Sequence, residues 1–306
     1  MALFIVKRLA QVIPVILGVT LVVFLIMQMV PGDSAVILAG EGASEQAIED
    51  LRESLGLNKP IYVQYFEYIK GVVQGDFGNS LKNGKPVLEE ITTRLPITFE
   101  LAMYSIAITI VLGLIAGIVS AIRPYSWLDM SFMVVALLGI SLPSFWLGIL
   151  LMYTFAINLG WLPVAGWESP QHIILPAITL GAGGAAIVAR MTRSSMLEVI
   201  NQDFIRTAKA KGLKGYVIIF KHALRNAMIP VITVVGLQFG SLLGGTVLVE
   251  SVFAVNGLGR MIVDAIRTRD LPIVQGGVLV ASLIFVFVNL IVDILYRVFN
   301  KRIDLN

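Results

Sequence analysis

The sequence predicts an all-α polytopic membrane protein, with six transmembrane helices and a small helical subdomain after the first. Three observations predict it. Six stretches carry no Asp, Glu, Lys or Arg and are long enough to span a bilayer. Of the 306 residues, 57% are hydrophobic and only 14% charged, whereas a soluble domain is about 25% charged. The densest run of bases falls in one loop, between the fourth and fifth stretches. A helix needs about 20 apolar residues, rising about 1.5 Å each, to cross about 30 Å of hydrocarbon. A central Arg, Lys or Asp costs about 2.5–3.5 kcal/mol on insertion scales, so composition alone does not produce six such runs.

The first stretch is Leu9 to Gly32. It is longer than a signal-peptide core and ends in Val30-Pro31-Gly32-Asp33 rather than a small-x-small cleavage pattern, so it is read as the first span. The segment from Asp33 to Glu100 holds eleven acids and six bases. Within it Ser44 is placed to cap a helix whose Ile48, Leu51 and Leu55 share one face, stopped by Gly56. Tyr62, Tyr65, Phe66 and Ile69 mark a second amphipathic helix, and Gly75-Asp76-Phe77-Gly78-Asn79-Ser80 reads as a turn. This outer piece is either a cover for the mouth of the bundle or part of a docking surface.

The second stretch, Leu101 to Ile122, carries Gly113 and Gly117, and the third, Met130 to Trp167, carries Pro143, expected to kink it. In the fourth, Ser169 to Ala189, the run Gly181-Ala182-Gly183-Gly184-Ala185-Ala186 imitates a dinucleotide fingerprint. It lies inside an apolar span, with no preceding strand and no downstream acid placed for a ribose, and is set aside. The fifth, Asn226 to Val249, has Gly236, Gly240 and Gly244 at four-residue spacing, and the sixth is Leu271 to Val292. Small-residue faces let helices approach closely in lipid. The fifth-span set is read as ordinary packing or as a contact with a second transmembrane subunit. The organisation is therefore 1–30, tail and first helix; 31–98, outer helical subdomain; and 99–306, a five-helix core with the loop 190–226.

Lys and Arg prefer cytoplasmic loops. Lys7 and Arg8 place the N-terminus inside, the acidic 33–100 segment falls outside, and the Arg190–Arg225 loop, with eight bases and two acids, falls inside. The tail from Asp293 returns inside. Glu250 and Asp293 lie at span ends, where charge is cheap.

In the basic loop Met196, Val199, Ile200, Phe204 and Ala208 recur at helical spacing, with Gly212 as the expected stop. Anionic lipid and membrane orientation account for many basic loops. The small residues of Thr207-Ala208-Lys209-Ala210-Lys211-Gly212 fit instead a partner surface that approaches the backbone closely.

With no cysteine and two histidines, the chain has no thiolate chemistry and no expected metal site. No GxxxxGK[ST] loop occurs, so no P-loop nucleotide site and no enzyme activity of its own are expected. The spans offer few polar groups beyond Gln238, Asn289 and scattered hydroxyls. A proton relay or an intramembrane hydrolase has little to work with, and energy for uphill movement is expected to enter through the inner loop. The alternative class is a self-contained secondary transporter or channel.

An ordered series runs through the whole chain: Val30-Pro31-Gly32-Asp33, Gly75-Asp76-Phe77-Gly78, Ser141-Leu142-Pro143-Ser144, Asp203-Phe204-Ile205-Arg206-Thr207-Ala208-Lys209-Ala210-Lys211-Gly212-Leu213, His222-Ala223-Leu224-Arg225-Asn226-Ala227 and Gly257-Leu258-Gly259-Arg260. With it the chain resembles the first permease subunit of dipeptide, oligopeptide and nickel ABC importers. The resemblance implies an importer-type ABC transmembrane domain in a prokaryotic plasma membrane, with both termini cytoplasmic. It implies a second homologous permease, two ATPase subunits that hold ATP and magnesium, and an extracytoplasmic solute-binding protein. It makes the basic loop the coupling segment known as the EAA loop. Arg206, Thr207 and Ala208 occupy the positions of that name, Gly212 its glycine, and Asp203, Lys209, Ala210 and Leu213 complete the docking set. Arg206 departs from the Glu of many importers. Ala254-Val255-Asn256 replaces a frequent proline, and Asn300-Lys301-Arg302 replaces a frequent Asp-Pro-Arg. The implied substrates are di- or oligopeptides, with nickel complexes and glutathione-like solutes as alternatives.

Overall fold

The structure is a computed structural model that describes residues 2–29, 34–40 and 42–299. The expectations on Pro31-Gly32-Asp33 and on Asn300-Lys301-Arg302 lie outside the described residues. In chain order the helices are α1 (Ala2–Met29), α2 (Ser34–Ala39), α3 (Glu45–Ser54), α4 (Ile61–Val73), α5 (Val87–Ile122), α6 (Trp127–Ser141), α7 (Ser144–Leu151), α8 (Pro170–Ile200), α9 (Asp203–Ala210), α10 (Gly215–Val217), α11 (Leu224–Val252), α12 (Leu258–Thr268) and α13 (Leu271–Phe299). Two π-helical stretches, Met152–Asn158 and Ile218–Ala223, extend α7 and lead into α11.

Among the described residues, four helices are long and apolar enough to cross a bilayer: Val87–Ile122, Pro170–Ile200, Gly215–Leu242 and Leu271–Val292. Trp127–Ser141 and Ser144–Asn158 make a fifth if the pair is one crossing, and in α1 the apolar part is the shorter Gln11–Ile26. By length and composition the described residues thus hold four or five such helices, and the expected first span, which runs on to Gly32, lies partly outside them. The expected kink at Pro143 is a full break of 112°. Pro143 has no N–H to continue the α6 ladder, and Leu142 before it is extended at φ −85°, ψ 131°. Two expected boundaries also move. The second span starts at Val87 rather than near Leu101, and α8 runs on to Ile200, taking Arg190 and Arg193 out of the loop.

The chain forms two compact units. The first comprises Met1–Pro96 and Gly257–Val286. Ser44 caps α3 as expected, its Oγ accepting from the Ala47 N–H at 3.2 Å. On α4 the expected single apolar face divides. Tyr65 turns onto α1, its ring 5.4 Å from Phe24 and its hydroxyl 3.0 Å from Thr20 Oγ1, while Tyr62 and Phe66 stay exposed. Tyr68 stacks on Phe24 as well. Burial, with Tyr65 nearby, pushes its hydroxyl up to about 12, and that hydroxyl is buried without a hydrogen-bond partner among the described residues. The predicted 75–80 turn is organised by a distant acid. Asp270 accepts from Ser80 Oγ and, at 3.0 Å, from the Leu81 N–H, while Asp76 accepts from the Gly78 N–H at 2.9 Å. Phe77 is thereby set against a core of Val87, Ile91, Leu258, Met261, Ile262, Ala265, Ile273 and Val274.

The second unit comprises Ile97–Asn256 and Phe287–Asn306, with α8 packed between α6, α7 and α11. The glycine run that imitated a nucleotide fingerprint is a helix crossing. A Cβ on Gly181 would lie 2.7 Å from the Ser105 carbonyl oxygen, and one on Gly184 2.9 Å from Thr109 Oγ1. On α5, Gly113 and Gly117 return the fit by facing Val188 and Thr192. Glu250 corrects the expectation of a cheap charge at a span end. It is fully buried and accepts from Thr98 Oγ1 at 2.6 Å. The fifth-span glycines divide too. Gly236 faces Val292 and Gly240 faces Asn289, both within the chain, while Gly244 is exposed with open space around it. Intramolecular packing thus accounts for two of the three.

Candidate functional site

The basic segment is built around α9. The sequence pattern placed Met196 to Ala208 on one helical face, but the helix stops at Ile200. Asn201 closes it, donating from Nδ2 to the Leu197 carbonyl at 2.9 Å. Gln202 is extended at φ −77°, ψ 155°, and re-aims the chain before α9 starts at Asp203. Met196 and Val199 therefore belong to the long helix above, and α9 is a separate eight-residue element packed beneath it.

A short helix has little stability alone, so its anchor matters. Ile205 (0% exposed) and Ala208 (6%), three residues apart, enter a cluster with Ala121, Met196, Val199, Ile218, Ala223 and Ala227. Ile205 is the residue that sequence reading missed. Phe204 and Ile205 are adjacent and both apolar, and periodicity chose Phe204, which is 39% exposed. Ala208 lies in the predicted segment with its side chain packed into this cluster rather than on the open face.

The end of α9 is fixed by backbone chemistry. Gly212 sits at φ +72°. Its N–H donates to the Lys209 carbonyl at 3.0 Å, and the Leu213 N–H donates to the Ala208 carbonyl at 3.3 Å. These are the paired bonds of a Schellman stop, which requires a left-handed residue where Gly212 stands. The predicted stop is thus in place.

The remaining predicted residues are brought together on the open side. Asp203, Arg206, Thr207, Lys209, Ala210, Lys211, Gly212, Leu213 and Lys214 are all exposed. Arg206 and Asp203 form a loose 3.5 Å pair with both side chains solvent-facing, which contributes little. Thr207 Oγ1 donates back to the Asp203 carbonyl at 3.0 Å. The face carries apolar surface as well: Phe204, Leu213, Tyr216 (63% exposed) and Phe220 (57%). Tyr216 and Phe220 were also missed, and aromatic residues inside a basic loop were the available signal. Four bases around exposed rings, on a helix locked at both ends, form a surface suited to an acidic or grooved protein partner.

One ion pair fixes the scaffold above this face. Asp129, in the first turn of α6, accepts from Arg193 of α8 through both carboxylate oxygens, and from the Tyr125 N–H at 2.8 Å. Ser126 caps the same helix.

Comparison with known proteins gives the chain its family. A family described as "Binding-protein-dependent transport system inner membrane component" matches residues 109–305, and its N-terminal companion, "Binding-prot-dependent transport system membrane comp, N-term", matches residues 1–102. The dipeptide transport system permease protein DppB of Alkalihalophilus pseudofirmus is 47% identical, covering 97% of this chain and 98% of that protein. The glutathione transport system permease protein GsiC of Escherichia coli K12 is also 47% identical, covering 98% of each. Among solved structures, an inward-facing MetNI methionine ABC transporter matches with TM-score 0.57 at 20% identity, over 68% of this chain and 95% of that one. An amino acid ABC transporter with histidines matches with TM-score 0.53 at 16% identity, over 70% and 94%. These two support the fold alone. Family profiles over nearly the whole chain and full-length relatives at this identity lead to one conclusion: the chain belongs to the binding-protein-dependent transport system inner membrane components, the permease subunits of ABC importers.

Proposed function

We propose that this chain is one of two permease subunits of an ATP-driven importer of di- or oligopeptides. It pairs with a homologous permease in a prokaryotic plasma membrane, with both termini cytoplasmic. Two ATPase subunits dock on the cytoplasmic side, holding ATP and magnesium, and an extracytoplasmic binding protein delivers solute. The exposed face of α9 (Asp203, Arg206, Thr207, Lys209, Ala210, Gly212 and Leu213) is the docking element, and Ala208 with Ile205 fixes that element to the bundle. The carrying observation is the anchoring itself. The short helix is packed through Ile205 and Ala208 against Met196 and Val199 of α8 and is stopped at Gly212, an arrangement that supports its moving with the end of α8. ATP-driven movement of the ATPases then tilts the helices above between two states.

A second solute class has a specific basis. Relatives named for dipeptide and for glutathione transport are equally similar to this chain, and both solutes are small peptides with free carboxylates. The test is reconstitution of the complete transporter in liposomes with its binding protein, measuring ATP-dependent uptake of dialanine and of glutathione. Uptake of either, abolished without ATP, is expected. Uptake by this chain alone, driven by an ion gradient, would contradict the assignment.

A further inference from the structure

The central helix α8 is the most enclosed of the long helices, but one stripe of it is open. Gly183, Ile187, Arg190 and Ser194 are spaced four, three and four residues apart, and so lie on one face. Two clefts lie end to end along that stripe and share Ile187. The first, about 280 Å³, sits at the α6–α7 break and is lined in part by Leu142, Ser144, Gln238 and Ser241. The second, about 490 Å³, is lined by Met133, Ile187, Arg190, Met191, Arg193 and Ser194, towards the α9 end.

Lipid is a poor occupant for this groove. Irregular backbone at membrane depth is tolerated where it lines an aqueous cavity or is buried in protein, and not against hydrocarbon. Here the break at Leu142–Pro143 opens directly into the first cleft, and α7 starts without a side-chain cap. Gln238 and Ser241 hydrogen-bond each other at 3.3 Å, leaving the Gln238 NH₂ without a partner among the described residues. In the second cleft the two arginines differ. Arg193 is engaged by Asp129, whereas Arg190 is exposed and has no ion pair or hydrogen bond among the described residues. Arg190 lines the second cleft, and guanidinium is the side chain best shaped to take a carboxylate through two parallel bonds.

We infer that this groove is the chain's half of the solute path, and that Arg190 is the subsite that receives the solute's terminal carboxylate. The inference rests on the peptide-import reading and adds the residue that selects the anionic end. The chain has no cysteine, so in a transporter whose other subunits are stripped of reactive cysteines a single introduced thiol reports its own surroundings. In the complete transporter, Ile187→Cys is expected to react with both an anionic (sulfonatoethyl) and a cationic (trimethylammonioethyl) methanethiosulfonate, the anionic one being favoured. Adding Arg190→Gln should lower the anionic-to-cationic rate ratio about tenfold, and Arg190→Lys should retain most of it. Excess dialanine should slow the labelling more than dialanine amide does. Uptake by Arg190→Gln should show KM for dialanine raised about tenfold or more, with the amide little changed. An unreactive Ile187→Cys, or a rate ratio indifferent to Arg190, overturns the inference. Should the unmodified transporter take up no peptide, the peptide reading falls, while the labelling ratio still decides whether Arg190 selects anions in a water-filled groove.

Discussion

Arg193 grips Asp129 with two parallel hydrogen bonds, Nε to Oδ1 at 2.7 Å and Nη2 to Oδ2 at 2.8 Å. The pair ties the first turn of the broken helix α6 to the end of α8 from which α9 hangs. Asp129 is 3% exposed, so losing Arg193 leaves a buried carboxylate unpaired, whereas the Arg193 side chain is 24% exposed and keeps access to water. Arg193→Gln should cost about 3–5 kcal/mol, and Asp129→Asn less. The double variant, which removes both charges, should recover a substantial part. Thermal unfolding of the purified complex checks this, and a double variant no better than the sum of the singles would refute the coupling.

Ala208 and Arg206 separate packing from docking. Ala208→Trp places a large ring in a closed cluster and should cost about 1–3 kcal/mol, visible as lost stability or lower yield. Arg206→Ala, on the open face, should leave yield and melting unchanged and reduce peptide-stimulated ATP hydrolysis. The two readouts, thermal shift and ATPase stimulation, should respond in opposite order.

Gly212 tests the stop of α9. No atom lies within 4 Å of the Cβ it would carry, so any penalty comes from its φ of +72° and not from crowding. Gly212→Val should cost about 1–2 kcal/mol locally and weaken coupling, and Gly212→Asn, which tolerates left-handed backbone, less. Gly212→Asp should behave worse than Asn because it adds an anion to a basic face. ATP hydrolysed per solute imported, compared across the three variants, gives the ranking.

Tyr68 and Tyr65 should behave oppositely. Tyr68→Phe removes a buried hydroxyl with no partner among the described residues, and should be neutral or stabilising by about 1 kcal/mol. Tyr65→Phe removes a bond to Thr20, and should destabilise by about 0.5–1.5 kcal/mol. Differential scanning of the purified complex distinguishes them.

What was legible in the sequence was what runs of residue type encode. Charge-free runs gave the spans, and Gly212, Ser44 and the 75–80 turn announced themselves by residue chemistry. Long-range partnerships left no local trace. Asp270 organising Ser80, Thr98 meeting Glu250, and Asp129 meeting Arg193 each join positions far apart in sequence, so Glu250 read as a surface charge. Periodicity also could not see the break at Asn201–Gln202. Residues on two helices fell on one apparent face, and Ile205 was passed over for its neighbour Phe204. The glycines of α8 and α11 looked like a ligand loop or a subunit contact because a stripe of small residues does not say what fills it.

Coupling of this chain to ATP requires the open side of α9 to meet a separate ATPase. The direct measurement uses the absence of native thiols in this chain. Arg206→Cys and Thr207→Cys, each paired with cysteines placed around the surface groove of the co-purified ATPase, are oxidised in native membranes, with Ile205→Cys as the buried comparison. Disulfide-linked permease–ATPase is expected at residues 206 and 207, changed in rate by ATP, with little at residue 205. Failure of both exposed positions to link to the ATPase, or labelling of them from the external face of sealed cells, would contradict this docking.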